Sequence, residues 1–169
     1  EIPKKLNEGL VGEYQKRKGM KSRKIGTIPQ DHAGLGLGMY SQVTSPLRRY
    51  GDLVAHQQLH NFLDNKPLMD TESMLRRIAQ GDQGARECTL AERKTNLHWI
   101  LVYLQANPDW SGQAVIVDYF NNQAVILIPE LAQESKILLN SKYELGTSIT
   151  VRAGNIDIPK QQVSFIEVL

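Results

Sequence analysis

The sequence changes its pattern at Asn107-Pro108-Asp109, and this change limits the folds open to the chain. Before it, apolar residues recur near helical spacing. After it, they alternate with polar residues or form short runs, as in strands. Proline disfavours helix at the residue before it, so a boundary belongs here. We therefore expect two domains, residues 1–108 and residues 109–169, and an α+β fold class.

Five strand-like segments follow the boundary, and Asn121-Asn122 between the first two is typical of a hairpin turn. Such a series predicts a small five-stranded β-barrel of the OB type, which commonly binds oligonucleotides through aromatic residues. Tyr119 and Phe120, at the end of the first segment, are the candidates; the alternative is that one of them fills the barrel core. The segments span residues 113–120, 123–129, 135–139, 147–153 and 162–168.

Helices are predicted before the boundary. Gly19 ends the first, Asp70 or Thr71 caps the third, and Gly81 and Gly84 separate the third from the fourth. Leucines and a methionine alternate with glycines in residues 29–43, which favours a strand with one apolar face. Tyr40, at its end, either stacks on a base or fills the core. The helices span residues 10–18, 46–63, 72–80 and 85–105.

The heptapeptide TSPLRRY at residues 44–50 has an unusual charge distribution. Ser45 suits a helix N-cap and Pro46 the first helical position, which places Arg48 and Arg49 in the first turn. Cations are unfavourable at that end of a helix, so the pair suggests an anion held by guanidinium and backbone N–H groups together. The alternative is a solvated turn in which Arg48 pairs with Asp52.

Charge is uneven along the chain. Residues 1–28 hold eight lysines or arginines and three glutamates, a net +5, whereas residues 109–169 have a net −3. The basic cluster at residues 16–24 is therefore either solvated surface or a patch that follows phosphates. Cys88 is the single cysteine and no apolar run is long enough to span a membrane. We expect a reducing, cytoplasmic location, no membrane partner, and an internal piece of a longer protein.

Residues 29–63 resemble the end of the catalytic domain, called RNB, of the ribonuclease II/ribonuclease R family. The resemblance lies in HAGLGL at residues 32–37 and in YSQVTSPLRRYGDLVAHQQL at residues 40–59. LAER at residues 90–93 is similar to the helix that closes that domain, and the barrel resembles the S1 domain that follows it. The resemblance implies the C-terminal part of an RNB domain followed by an S1-like barrel.

The family hydrolyses single-stranded RNA from its 3′ end to nucleoside 5′-monophosphates with Mg²⁺. By position in the TSP-x-RR motif, Arg48 is the catalytic arginine that contacts the scissile phosphate, and we expect it to face a cavity. Arg49, Thr44 and Ser45 would support it by phosphate contact or capping. Glu92 resembles a family glutamate near the 3′-terminal nucleotides. With Tyr40, Tyr119 and Phe120, these form the predicted RNA-binding set.

The family holds Mg²⁺ with clustered aspartates in an earlier motif, and no such cluster occurs here. Mg²⁺ requires convergent carboxylates, and His56 and His60 lack the partners of a metal motif. We therefore assign no metal ligand to this chain and expect the Mg²⁺ ligands in the missing N-terminal part of the same protein. The isolated stretch should then be inactive. The scattered aspartates are Asp31, Asp52, Asp64, Asp70 and Asp82.

Two other functions remain open. One is a non-catalytic RNA-binding relative that retains the nuclease fold but has lost the acidic cluster. The other is an unrelated structural protein with an OB-type barrel. A steep fall of RNA affinity as the salt concentration rises would favour the RNA-binding functions over the structural one, because phosphate neutralisation releases counterions.

Overall fold

The computed structural model describes residues 8–20, 25–32 and 34–168. Three helices precede five antiparallel strands, as expected for the α+β class. The chain divides into two compact units, residues 1–21 with 93–169, and residues 22–92, so the division falls within the third helix. The domain boundary at residues 108 and 109 stays a prediction. The helices are α1 (Gly9–Gly19), α2 (Tyr50–Leu63) and α3 (Thr71–Ala106), and the strands are β1 (Ser111–Phe120), β2 (Gln123–Ile128), β3 (Gln133–Ile137), β4 (Ser148–Asp157) and β5 (Gln162–Glu167).

The strands form one sheet in the order β3-β2-β1-β4-β5, and the outer strands β3 and β5 also contact each other. The sheet is thereby nearly closed into the predicted five-stranded barrel. All five predicted segments are strands, with bounds that differ by a few residues. Asn121 and Asn122 have φ angles of 48° and 62°, as the tight β1–β2 hairpin requires, so the predicted turn is confirmed.

The barrel has a continuous apolar core. Gly112, Ala114 and Ile116 of β1 are buried while Ser111 and Gln113 are exposed, which is the period of two expected from a strand. Burial of each large aliphatic side chain contributes about 1.5–3 kcal/mol. The buried core residues are Leu104, Trp110, Ala114, Ile116, Ala124, Ile126, Ile128, Leu131, Ile137, Ile149, Val151 and Phe165.

Helix α1 covers the outside of the barrel at a β-bulge. Val117 is the extra residue between two ladder pairs of β1, and it packs against Val11 of α1. The bulge leaves the Val117 carbonyl free to accept a hydrogen bond from Gln15 Nε2, at 3.2 Å. Helix α1 thus supplies both apolar cover and a hydrogen bond that the sheet itself does not provide.

The basic cluster on α1 pairs with acidic residues. Lys18 Nζ lies 2.5 Å from Asp118, and Arg17 lies 2.9 Å from Glu134 of β3. Lys16 pairs with Glu13 on its own helix. Each described cation of the cluster therefore pairs with a carboxylate, and whether the cluster also follows phosphates stays a prediction. The remaining basic residues of the cluster, at positions 21, 23 and 24, lie outside the described residues.

Helix α2 begins at Tyr50 rather than at Pro46, so the predicted N-terminus is wrong. Residues 46–48 form a separate turn, and Arg49 is extended (φ −124°, ψ 105°), which interrupts the helical path. Ser45 is consequently not the N-cap; Arg49 occupies that position and its carbonyl receives the N–H groups of Asp52 and Leu53. The predicted end near Leu63 is confirmed.

Helix α3 is continuous where two helices were predicted. Gly81 does not break it; the ring of Tyr50 lies so close that a Cβ on Gly81 would be 2.6 Å from Tyr50 Cδ1. The glycine therefore allows close packing. Asp70 caps the helix, since its carboxylate accepts hydrogen bonds from the N–H and hydroxyl of Ser73, and these bonds lower the pKa of Asp70.

Residues 29–43 do not form the predicted strand. A tight turn closes at a single bridge between His32 and Leu37, and Gly36 takes a φ of 62° within it. Leu35 and Met39 are more than half exposed, so no apolar face is buried here. No helix within the described ranges is both long and apolar enough to cross a membrane.

Candidate nucleic-acid interface

The turn at residues 44–49 carries the candidate catalytic arginine. The Ser45 carbonyl accepts hydrogen bonds from the N–H groups of Arg48 (3.2 Å) and Arg49 (3.0 Å). The Ser45 N–H in turn donates to Asp52 Oδ2 in the first turn of α2, at 2.9 Å. The backbone of the turn is therefore fixed to α2 by a side chain rather than by continuing as a helix.

Asp52 organises this turn from a buried position. It is 2% exposed and is the one buried charged residue within the described part of the chain. Its Oδ2 also accepts hydrogen bonds from Arg49 Nε (3.0 Å) and Nη2 (2.7 Å), and Nη2 donates further to Thr44 Oγ1 (2.8 Å). A buried carboxylate requires such partners. The structure thus pairs Asp52 with Arg49, not with Arg48.

His56 holds the segment that leads into the turn. Its Nε2 lies 2.7 Å from the Val43 carbonyl, which can only accept, so Nε2 carries the hydrogen. His56 follows Asp52 by four residues and therefore shares its face of α2. This ring nitrogen is committed to the backbone, and His60, one turn later, is exposed.

Arg48 differs from its neighbour because its side chain is exposed. Within the described residues no hydrogen bond or ion pair holds its guanidinium, whereas that of Arg49 is enclosed by Asp52 and Thr44. Arg48 lines neither of the two cavities found on the barrel unit. The expectation that Arg48 faces a cavity therefore stays a prediction. The Arg48 guanidinium is thus exposed to solvent, whereas the Arg49 guanidinium stabilises the turn.

Tyr40 and Glu92 belong to the same unit as the turn. Tyr40 is 44% exposed and makes an edge contact with His32, with ring centroids 4.8 Å apart. Glu92 is exposed on α3. No hydrogen bond joins either side chain to the turn within the described ranges, so their contribution to an RNA site stays a prediction.

The two barrel aromatics have different environments. Tyr119 packs against the core, and its hydroxyl donates to the Tyr143 carbonyl (2.9 Å) and accepts from the Tyr143 N–H (3.0 Å). Phe120 is 56% exposed. A lysine ammonium lies over each ring: Lys142 at 5.6 Å from the Tyr119 centroid and Lys136 at 4.5 Å from that of Phe120. The sequence alternative of one core aromatic and one exposed aromatic thus matches these positions.

A cavity of about 310 Å³ lies beside these rings, between the turn at Asn121-Asn122 and the loop that carries Lys142. Its lining combines aromatic faces, amides, a hydroxyl and an ammonium group, which suit a base and a phosphate of single-stranded nucleic acid. A second cavity of about 360 Å³ is lined by amides, hydroxyls and two aliphatic side chains without a charged group, so it offers no phosphate contact.

The described carboxylates do not form a metal site. No group of three or more histidine, cysteine, aspartate or glutamate side chains in the described ranges could hold a metal ion. Asp52 is occupied by Ser45 and Arg49. The residues present therefore do not fit Mg²⁺.

Sequence reasoning missed the roles of Asp52, His56, Lys136 and Lys142. Helical spacing offers Asp52 both Arg48 (i, i+4) and Arg49 (i, i+3) as partners, so the sequence could not choose between them. The lysines gave no signal, since their positions over the two rings depend on strand pairing and on the β3–β4 loop.

Comparison with family models matches residues 4–65 to the RNB domain. The match includes the 44–49 turn, Asp52, His56 and helix α1, and it ends at the C-terminus of α2. It does not extend to α3 or the barrel.

Similar proteins cover more of the chain. An uncharacterised ribonuclease of Synechocystis is 32% identical over 97% of this chain and 25% of its own length. Exoribonuclease 2 of Haemophilus ducreyi is 39% identical over 37% of this chain and 9% of its own length. The crystal structure of a Dss1 exoribonuclease active-site mutant from Candida glabrata has a TM-score of 0.69 at 23% identity, over 83% of this chain and 19% of its own. The chain spans a quarter or less of these relatives.

Proposed function

We propose that this chain is part of a 3′→5′ exoribonuclease of the RNB family, because residues 4–65 match the RNB domain. It contributes the group that holds the scissile phosphate, while the rest of the protein supplies the metal ligands. The substrate is single-stranded RNA and the products are nucleoside 5′-monophosphates. The relatives' names support hydrolysis of RNA, and the residues below support the division of labour.

The observation that carries the proposal is the difference between two adjacent arginines. Arg49 is enclosed by Asp52 and Thr44, whereas Arg48 is exposed on a turn whose backbone is fixed. A guanidinium offers paired N–H donors that match phosphate oxygens. Held beside the reacting phosphate, Arg48 stabilises the negative charge that builds up there, and a fixed donor of this kind contributes about 3–4 kcal/mol.

We propose that the Mg²⁺ ligands lie outside this chain. In the full protein such an ion would supply Lewis-acid chemistry at the phosphate, held by ligands that the described residues do not provide. The described residues contribute no metal cluster. Their part in the chemistry is to bind and orient the phosphate.

The missing walls of the site come, in this proposal, from the remainder of the protein. Large apolar side chains are exposed around the turn and along α2, among them Leu47, Leu59, Phe62 and Leu63. Exposed apolar surface of this extent marks an interface. The remainder of the RNB domain would cover these side chains and enclose Arg48.

We propose that the barrel is S1-like and guides the RNA strand. Phe120 offers an exposed ring for base stacking, and Lys136 and Lys142 offer charges for phosphates. Stacking contributes about 1–3 kcal/mol per base. Tyr40, Glu92 and Thr44 remain candidate RNA contacts, and a cytoplasmic location remains part of the proposal.

The test uses the full-length protein that contains this chain, with end-labelled single-stranded RNA and Mg²⁺. Arg48→Ala should lower kcat about 100- to 1,000-fold while RNA affinity changes little, because the group acts mainly in the transition state. Arg48→Lys should not restore activity, since a point charge cannot replace a planar fork. Arg76→Ala is the matched control, because Arg76 is exposed and pairs only with Glu72 within the described residues.

Equal losses of affinity and rate in Arg48→Ala would make this residue an anchor rather than a catalytic group. RNA degradation by the isolated 169-residue chain would contradict the placement of the metal ligands elsewhere. A full-length protein that binds RNA in a salt-dependent way without degrading it would be the non-catalytic relative. If RNA binding is absent or does not depend on the salt concentration, the result favours a structural protein.

A further inference from the structure

One face of α2 carries the side chains that hold the turn with Arg48 in place. Asp52 and His56 are four residues apart on this face, and each bonds to a different part of the preceding segment. His56 holds the carbonyl of Val43, before the turn. Asp52 holds the N–H of Ser45 within the turn and the guanidinium of Arg49 after it. The backbone before Arg48 and the side chain of the residue after it are therefore bound to a regular helix.

Without these bonds, α2 would be free to begin earlier and to include Arg48. The sequence itself favours this, because serine and proline at positions 45 and 46 form a good helix start. In the structure, the Ser45 N–H donates a hydrogen bond to Asp52 and the backbone of Arg49 is extended. The helix therefore begins only at Tyr50. The Asp52 carboxylate thus favours a separate turn over an added helical turn, and these two backbones place the Arg48 Cα differently.

We infer that Asp52 and His56 are positioning residues for Arg48: they hold the 43–49 segment so that the Arg48 guanidinium meets the scissile phosphate. Neither side chain needs to touch RNA. Asp52 is buried and His56 is half-buried with its Nε2 on a carbonyl, so both act through the backbone. This inference rests on the proposed function of Arg48.

The experiment is a pair of double-mutant cycles in the full-length protein, measured as kcat and KM on single-stranded RNA. Asp52→Asn preserves size but replaces the charged acceptor of Ser45 and Arg49. We expect it to lower kcat about 10- to 100-fold with KM nearly unchanged, because a misplaced catalytic group costs rate. In the Arg48→Ala background the same substitution should lower kcat less than about twofold, since the group it positions is gone.

His56→Ala provides an independent cycle in case Asp52→Asn fails to fold, and the same pattern is expected from it. The matched controls are Asp64→Asn and His60→Ala. These are exposed residues of the same types at or near the end of α2, and neither bonds to the turn within the described residues. Both controls should retain wild-type kcat. Folding is checked for each variant by its thermal midpoint.

The outcomes separate the two proposals. If Asp52→Asn and His56→Ala lower kcat by the same factor with and without Arg48, their role is purely structural and the inference is wrong, while the function of Arg48 stands. If Arg48→Ala has wild-type kcat, the proposed function fails and the inference fails with it. Larger effects on KM than on kcat would indicate that the two residues shape RNA binding instead.

Discussion

The two compact units of this chain use their apolar residues in opposite ways. The barrel buries twelve residues in one core. In the described part of residues 22–92, Val54 is the one buried apolar residue and Asp52 the one buried polar residue, while Leu47 is fully exposed. The core of the barrel unit comes mainly from the strands, with Leu104 added from α3. The other unit leaves large apolar side chains exposed, and it is this unit that presents Arg48.

The largest expected effect tests this contrast directly. Ile126→Ala in β2 should destabilise the isolated chain by about 2–5 kcal/mol, because it leaves a cavity at a fully buried position. Leu47→Ala should change its stability by less than about 0.5 kcal/mol, because that side chain is solvated. Urea unfolding measures both. Similar losses from the two substitutions would mean that Leu47 is packed and that the contrast is false.

A smaller effect distinguishes the two glycines of α3. Gly81→Ala should destabilise the chain by about 1 kcal/mol, because its Cβ would meet Tyr50 Cβ and Cγ near 3 Å and outweigh the gain in helix propensity. Gly84→Ala has open space and should stabilise it by about 0.5–1 kcal/mol. Thermal unfolding of both variants decides the point. A stabilising Gly81→Ala would show that α2 and α3 are not closely packed.

The smallest effect concerns the contact of α1 with the barrel. Burial raises the pKa of Asp118, but the hydrogen bonds from Lys18 and the Tyr119 N–H outweigh it and lower the pKa overall. The hydrogen bond to Asp118 raises the pKa of Lys18. The pair should therefore stabilise the chain above the ordinary aspartate pKa of 3.8 and lose that contribution as pH falls through the lowered value. At the alkaline end it should be lost as pH rises through the raised lysine pKa.

Asp118→Asn tests whether the ion pair loses its contribution to stability as pH falls. The variant should have a thermal midpoint about 1–3 °C lower than wild type at pH 7, and the difference should shrink as pH falls through the lowered Asp118 pKa. Glu144→Gln, at an exposed position on the same unit, is the control. A difference that does not shrink as the solution is acidified would assign the effect to packing rather than to the ion pair.

The barrel could be predicted from the sequence because its information is local. Alternation along each segment indicates the strands, and the Asn-Asn turn indicates the pairing of β1 with β2, whereas the pairing of β1 with β4 joins segments far apart in sequence. The region before it could not be predicted to the same extent. The glycine-leucine pattern of residues 29–43 has no partner sheet among the described residues, and Gly81 is tolerated because it fits Tyr50. The start of α2 was misplaced because the Ser45 N–H reaches the Asp52 carboxylate, seven residues later, only if the backbone turns between them.

Arg48 could be selected as the candidate from its charge and position, whereas its supporting residues could not. Helix capping rules assign Ser45 a role that Arg49 takes in the structure. The pairing of Asp52 with Arg49 instead of Arg48 depends on the extended backbone at Arg49, which the sequence does not reveal. The two arginines look equivalent in the sequence and differ only once this turn is formed.

The bulge at Val117 has a consequence for dividing this protein into fragments. A truncation that starts after the proline boundary would uncover an aliphatic strip and an unpaired carbonyl on the outer barrel wall, where α1 now lies. Such a fragment would also lose Leu104 from its core, and it is expected to self-associate through the uncovered strip. A barrel fragment therefore needs α1, the part of the family-matched segment that belongs to the same compact unit as the barrel.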